Sequence, residues 1–185
     1  MGKKKSHKKE HIISDKIIHL YLSGEIDENN TVEIIKSINE LNYNSIDGDY
    51  VNPIILHIQS TGGSVSDAFA LIDTIITSSI PVYTYCDGYA MSSAFIVFLA
   101  GTRRFVYPHS EFLAHPITCS SDGSYNALKA TMRNGKELNK SIFELIQQRT
   151  NVKKKTINRW LNGNHDYYIY ADEAISTGIA TDMVE

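Results

Sequence analysis

Cysteine is nearly absent: Cys86 and Cys119 are the only two, and they form no CxxC pair. That excludes a disulfide scaffold and leads us to expect reduced thiols in a cytosol-like compartment. Long apolar runs are missing too. The longest, Ala94 to Ala100 (AFIVFLA), falls well short of the roughly 18 residues a membrane helix needs, and the start of the chain has no apolar stretch resembling a signal peptide. Neither a membrane span nor secretion is expected. What remains is ordinary globular material, 185 residues with 42% hydrophobic and 21% charged, the makings of one hydrophobic core.

Positive charge is scarce outside the first ten residues. Lys3, Lys4, Lys5, Lys8 and Lys9 against Glu10 give that tail +4, which leaves −7 on the remainder of a chain whose net charge is −3. An acidic body, and a basic tail with no aromatic residues to stack bases, argue against nucleic-acid binding. Met1-Gly2-Lys3-Lys4-Lys5-Ser6 matches a myristoylation pattern, but the pattern is short, and residues 1–15 are read as a solvated, disordered tail with no membrane role.

The rest reads as one α/β domain, residues 16–185, in which strand and helix alternate. A strand over Lys16 to Gly24 and a turn at Glu25 to Asn30 precede a helix over Thr31 to Asn42, with Val32, Ile35, Ile38 and Leu41 on one face. Pro53 to Gln59 (PIILHIQ) is almost continuously apolar, as expected of a parallel strand covered on both faces. The next helix opens at Ser64, where Ser64-Val65-Ser66-Asp67 fits a capping box and Val65, Phe69, Ile72 and Ile76 recur at helical spacing. Further strands are expected at Pro81 to Cys86, Arg103 to Val106, Glu111 to Ala114 and Ile179 to Val184. Further helices are expected at Met91 to Ala100, Tyr125 to Gln148 and Val152 to Leu161, the long one burying Leu128, Met132, Ile142, Leu145 and Ile146.

Three places in this pattern carry chemistry. Gly62 and Gly63 lie between a buried strand and a helix start, where backbone N–H groups and the helix dipole favour an anion; the alternative is a tight turn needing positive φ. No GxGxxG and no Gly-Lys-Ser/Thr follows, which disfavours a phosphate loop. Asp87 to Phe95 (DGYAMSSAF) puts Ser92 and Ser93 at a second strand-to-helix junction, where a hydroxyl can be presented beside an oxyanion-binding N–H or can simply cap the helix. The GxSxG elbow of lipases is absent.

Among the histidines, His19 and His57 fall within strands and are read as packed or surface residues. His115 ends a strand, where its imidazole can serve as a general base. His109 and His115 lack a third ligand at metal-binding spacing, so no metal and no cofactor is expected. Asp166, in the polar loop before Tyr167 to Tyr170, is a candidate third member or a solvated acid.

Ile58-Gln59-Ser60-Thr61-Gly62-Gly63-Ser64-Val65, Gly88-Tyr89-Ala90-Met91-Ser92, and Arg104-Phe105 to His115-Pro116 together resemble ClpP, the proteolytic subunit of the caseinolytic protease. Lys16-Ile17-Ile18 to Gly24 near the start, and Ala171-Asp172-Glu173-Ala174 with Gly178-Ile179 near the end, extend the likeness over residues 16–185. Ser92 follows Gly63 by 29 residues, and the combination is specific where either piece alone is weak.

The resemblance implies a ClpP/crotonase-like spiral of β-β-α units with a protruding helical handle, assembled as heptameric rings stacked into a tetradecamer. It implies a serine endopeptidase acting on polypeptides, with Ser92 as nucleophile, His115 as base, Asp166 as orienting acid, and the N–H groups of Gly63 and Ser93 as oxyanion hole. An AAA+ unfoldase is the partner such a subunit would serve. The chain departs from the family at Ser93, usually methionine, and in Ile117 to Tyr125, which has a single glycine. It departs also at Asn164 and His165, where an acid and an arginine help join rings, and in its lysine-rich start, which replaces an apolar axial loop. The competing expectations are a noncatalytic ring subunit and a crotonase-type acyl-CoA enzyme.

Overall fold

The computed structural model describes residues 17–45, 52–118 and 123–184. The expected basic tail and its myristoylation pattern lie outside the described residues, as does Cys119.

The elements in chain order are β1 (Ile18–Ile26), α1 (Glu28–Asn44), β2 (Ile54–Gly63), α2 (Val65–Thr77), β3 (Val82–Met91), α3 (Ser93–Ala100), β4 (Arg103–Val106), β5 (Glu111–Ala114), α4 (Tyr125–Arg149), α5 (Lys154–Asn162), β6 (Tyr167–Tyr170), α6 (Ala171–Ser176) and β7 (Asp182–Met183). One sheet runs β1-β2-β3-β4-β7, every pair parallel. The long strand β3 serves two neighbours on its other edge. Its first half, Tyr83 to Cys86, pairs with β4, and its last three residues, Tyr89 to Met91, pair in parallel with β5, which in turn pairs antiparallel with β6. Gly88, at φ +106°, lies between the two halves. This hand-over from β4 to β5 carries the end of β3 toward the strand that leads into His115.

α1, α2 and α3 pack side by side and cover β1, β2 and β3. Helix α3 is apolar all round, and all eight of its residues are buried. Phe95 and Phe98 meet Phe112 of β5 at ring-centroid separations of 5.8 and 4.8 Å, and Trp160 of α5 stands edge-on to Phe95 at 6.3 Å. Each such buried aromatic contributes on the order of 2 kcal/mol through area removed from water.

The other face of the sheet carries a ladder of rings. Tyr21 stacks on His57 at 4.9 Å, His57 meets Tyr85 tilted at 5.4 Å, and Tyr85 stacks on Phe105 at 4.4 Å. His19 Nδ1 lies 3.0 Å from His57 Nε2, and His57 Nδ1 lies 2.7 Å from Asp87 Oδ2. The two strand histidines are thus packed into a polar and aromatic chain across the strands.

Several elements differ from the sequence expectation. β1 extends through Ile26, and α1 begins at Glu28 in place of a turn over Glu25 to Asn30, because Asp27 accepts from Asn30 N–H and Asn30 reciprocates, a full capping box. The buried face of α1 consequently centres on Thr31, Ile34 and Ile38. In α2 the buried residues are Ala68, Leu71, Ile72 and Ile75, while Ile76 is exposed. β6 and α6 add to the expected elements, and the last strand shrinks to Asp182–Met183. Of the expected stripe on α4, Ile142, Leu145 and Ile146 are buried, but Leu128 and Met132 are 47% and 57% exposed, so the first half of this helix projects from the core.

Candidate active site

β3 ends at Met91 and α3 starts at Ser93, which leaves Ser92 to make the corner alone. It takes φ +55° and ψ −122°, and no other non-glycine residue among those described has positive φ. A serine held there is strained by roughly 1–3 kcal/mol, and its surroundings must enforce it. They do so on two sides. Ser92 N–H donates to Leu113 C=O of β5 at 2.8 Å. Gly62 backs directly against the corner, where a Cβ would stand 2.6 Å from Met91 O and 2.8 Å from Ser92 Cβ. Gly62 and Gly63 adopt φ +86° and +152°, the positive φ expected of the pair, but they end β2 still paired with Glu25 and Ile26 of β1 and do not form a tight turn.

Ser92 makes no helix-capping hydrogen bond with its side chain. Its Oγ instead lies 2.7 Å from His115 Nε2. With the proton on Nδ1, the hydroxyl donates to Nε2, which is the arrangement a general base needs to withdraw that proton. His115 arrives from Ala114, the last residue of β5, and the same strand therefore supplies both the acceptor for Ser92 N–H and the imidazole for Ser92 Oγ.

Asp166 is exposed, directly before β6, and among the described residues neither its carboxylate nor His115 Nδ1 has a hydrogen-bond partner. The β5–β6 ladder stops one residue short of both, at Ala114 opposite Tyr167. Glu111 faces Tyr170 at its other end, so one further rung would set His115 opposite Asp166.

Ser93 is buried at the start of α3. Its hydroxyl accepts from Gly63 N–H at 2.8 Å and lies 3.2 Å from Gly63 C=O as a donor. Its own N–H, one of the orphan donors of a helix N-terminus, has no acceptor among the described residues.

A cavity of about 90 Å³ opens beside Ser92 and His115. Val65, Phe95, Ile96, Ile142, Ile146 and Leu161 wall it, and no Asp, Glu, Lys or Arg side chain lines it. Three of those residues come from α4 and α5, 50 or more positions beyond Ser92. Their helical periodicity announces only a core face, and no local signal could have tied them to the site.

His109 and His165 are exposed and take no part in this constellation. Among the described residues no group of three or more His, Cys, Asp or Glu side chains is arranged to hold a metal ion. No helix among them is long and apolar enough to cross a membrane.

Comparison with known proteins identifies the family. A family model described as Clp protease matches residues 2–185. An ATP-dependent Clp protease proteolytic subunit of Bacteroides fragilis is 28% identical over 141 residues, which cover 74% of this chain and 67% of the relative. An ATP-dependent Clp protease proteolytic subunit 1 of Bacillus cereus is 31% identical over 139 residues, covering 74% of this chain and 71% of the relative. A Porphyromonas gingivalis relative bearing the proteolytic-subunit name is 27% identical over 134 residues, 71% of this chain and 60% of its own length. The matches thus span about two thirds of the relatives' lengths.

Proposed function

This chain belongs to the Clp protease family, and from that premise we propose that it is a serine endopeptidase that hydrolyses unfolded polypeptides or peptides inside an oligomeric ring. The observation that carries the reading is the strained Ser92 with its hydroxyl 2.7 Å from His115 Nε2, at the edge of an apolar cavity.

Ser92 Oγ attacks the scissile carbonyl while His115 Nε2 takes the hydroxyl proton. The imidazolium then protonates the leaving amine, an acyl-serine forms, and a water molecule deprotonated by the same imidazole hydrolyses it. The tetrahedral oxyanion is received by the N–H groups of Gly63 and Ser93, at the start of α3 where the helix dipole favours negative charge. Asp166 is the orienting acid. It would hold Nδ1–H of His115 if the β5–β6 ladder, which ends at Ala114 and Tyr167, closed by one more rung.

For the ring, Tyr125, Leu128 and Met132 on the projecting half of α4 are all exposed. They supply an apolar contact for a second copy of this chain, in heptameric rings stacked as a tetradecamer. The relatives' names call them ATP-dependent, and this sequence has no phosphate loop. An AAA+ unfoldase is the partner proposed to supply the ATPase. Cys86 is a buried free thiol, in keeping with the cytoplasm as its compartment.

Intact mass after treatment with a fluorophosphonate, together with native mass, tests the reading. A single adduct on the wild type that is lost in Ser92→Ala and in His115→Ala supports the peptidase, and the assembly mass reads the ring. The open Asp166–His115 pair favours one competitor, a noncatalytic ring subunit. An assembled, folded ring that takes up no adduct would decide for that competitor.

A further inference from the structure

The N–H of Gly63 is already occupied. It donates to Ser93 Oγ at 2.8 Å, and the same hydroxyl is turned on Gly63 C=O at 3.2 Å. Ser93 is only 3% exposed, so little water competes for either bond. The remaining donor of the pair, Ser93 N–H, is unengaged among the described residues. One half of the oxyanion site is therefore filled by the side chain of the residue that supplies the other half.

We propose that the Ser93 hydroxyl is a latch on the oxyanion hole, an autoinhibitory contact that must open for turnover. The proposal rests on the serine-peptidase reading. An oxyanion bound by Gly63 N–H has to lie about 2.7–3.1 Å from that nitrogen, and Ser93 Oγ stands at that distance now. One donor hydrogen gives a strong bond to one acceptor at a time, so Ser93 must rotate about χ1 and surrender its bonds to Gly63 as the tetrahedral intermediate forms. The hydroxyl does not act as a third donor, because its proton is directed at Gly63 C=O and its lone pair at Gly63 N–H. A side chain that cannot accept a hydrogen bond leaves the amide open from the start. Since the net worth of a neutral hydrogen bond corresponds to about two- to tenfold in an equilibrium constant, the latch should slow turnover by roughly that factor.

Ser93→Ala removes the acceptor at the least steric cost, and Ser93→Cys retains a weak one. Both are compared with wild type and Ser92→Ala in fluorophosphonate labelling rate by intact mass, in steady-state cleavage of a fluorogenic peptide with leucine before the scissile bond, and in thermal unfolding. The latch predicts that Ser93→Ala labels Ser92 about two- to tenfold faster and raises kcat by a similar factor at unchanged KM, with Ser93→Cys in between. Ser93 also lines the apolar cavity, and the unchanged KM separates the latch from repacking of that cavity. Labelling of Ser92 at an equal or lower rate in folded Ser93→Ala overturns the latch and leaves the peptidase reading standing, as does a gain confined to KM. Absence of a Ser92 adduct in wild type and in both Ser93 variants overturns the two together. If Ser93→Ala does not fold, Ser93→Cys carries the same comparison.

Discussion

Ala114 and Tyr167 are the last partners of the β5–β6 ladder, and the residues just beyond that pair are His115 and Asp166. The ladder does not extend to these two, and among the described residues no hydrogen bond joins them. If Asp166 orients His115, Asp166→Asn should lower kcat by on the order of a hundredfold or more, since the amide favours the wrong imidazole tautomer. An exposed residue contributes little to packing, so the thermal midpoint should stay within a degree or two. Steady-state kinetics beside thermal unfolding checks both, and a variant with wild-type kcat removes Asp166 from the reaction.

Gly62 tests the corner that presents Ser92. In Gly62→Ala the new Cβ meets Met91 O, Ser92 Cβ and Ser93 N, all within 2.9 Å, at φ +86°. Backbone and corner have to shift, with a cost of about 2 kcal/mol or more. The expected result is a fall in thermal midpoint of several degrees and a loss of kcat of tenfold or more. Gly24→Ala is the control, because Gly24 has φ +79° but nothing within 4 Å of the added atom. It should lose about 1 kcal/mol of stability and no activity.

Local pattern accounts for most of what was legible in the sequence. Ser92 stands where an apolar strand meets an apolar helix, and His115 where a short strand ends, so both junctions show in hydrophobic spacing alone. β6 has no legible sequence pattern because only Ile169 of its four residues is buried. Three tyrosines around one buried isoleucine make no apolar alternation, and β5 supplies the pairing instead. Leu128 and Met132 keep the helical stripe of α4 yet are exposed. Periodicity defines a face of a helix and is silent about what covers it. The engagement of Gly63 N–H by Ser93 depends on two segments 30 residues apart meeting within hydrogen-bond reach, for which the sequence carries no sign.

Cys86 is fully buried, and burial pushes its thiol up to about 12 from 9.0, with the hydrogen bond to Ser110 opposing only in part. At pH 8 the folded protein should therefore resist iodoacetamide at Cys86, and denaturant should restore ordinary reactivity; peptide mapping distinguishes it from Cys119. The same shift sets a pH dependence. The folded pKa is the higher one, so the thiol's contribution to stability is complete below about pH 9 and is lost as pH rises toward about 12. Chemical unfolding across that window should show wild type losing stability more steeply than Cys86→Ala.

The cavity beside Ser92 and His115 is apolar and small, about 90 Å³. A leucine or methionine before the scissile bond fits walls of Val65, Ile96, Ile142 and Ile146, whereas an aspartate or lysine there would be buried without a partner. Fluorogenic peptides differing only at that position should show kcat/KM at least a hundredfold higher for leucine than for aspartate. Similar rates for the two would mean that this cavity does not receive the side chain.

The far end of the helix that Ser92 opens is held by side chains from three elements. Phe98 C=O accepts from Thr84 Oγ1; Leu99, Ala100 and Gly101 C=O accept from the Arg149 guanidinium at 2.7–2.9 Å; and Arg104 adds a bond to Gly101 C=O. Arg104 is 8% exposed and also binds the carbonyls of Ile179, Gly178 and Arg149, so its planar fork joins α3, α4 and the chain leading to β7. Burial, then the nearby Arg149 charge, lowers its pKa to about 10, which still leaves it protonated at neutral pH. Lysine keeps the charge but has one nitrogen, which cannot reach carbonyls on three segments. Arg104→Lys should therefore cost about 2–4 kcal/mol in urea unfolding by stranding buried acceptors. Arg149→Met should cost less on its own and couple to Arg104→Lys in a double-mutant cycle, because both side chains serve Gly101 C=O. Both losses should fall on stability, with the Ser92 labelling rate of the folded fraction unchanged, since Ser92 is held independently by Leu113 and Gly62.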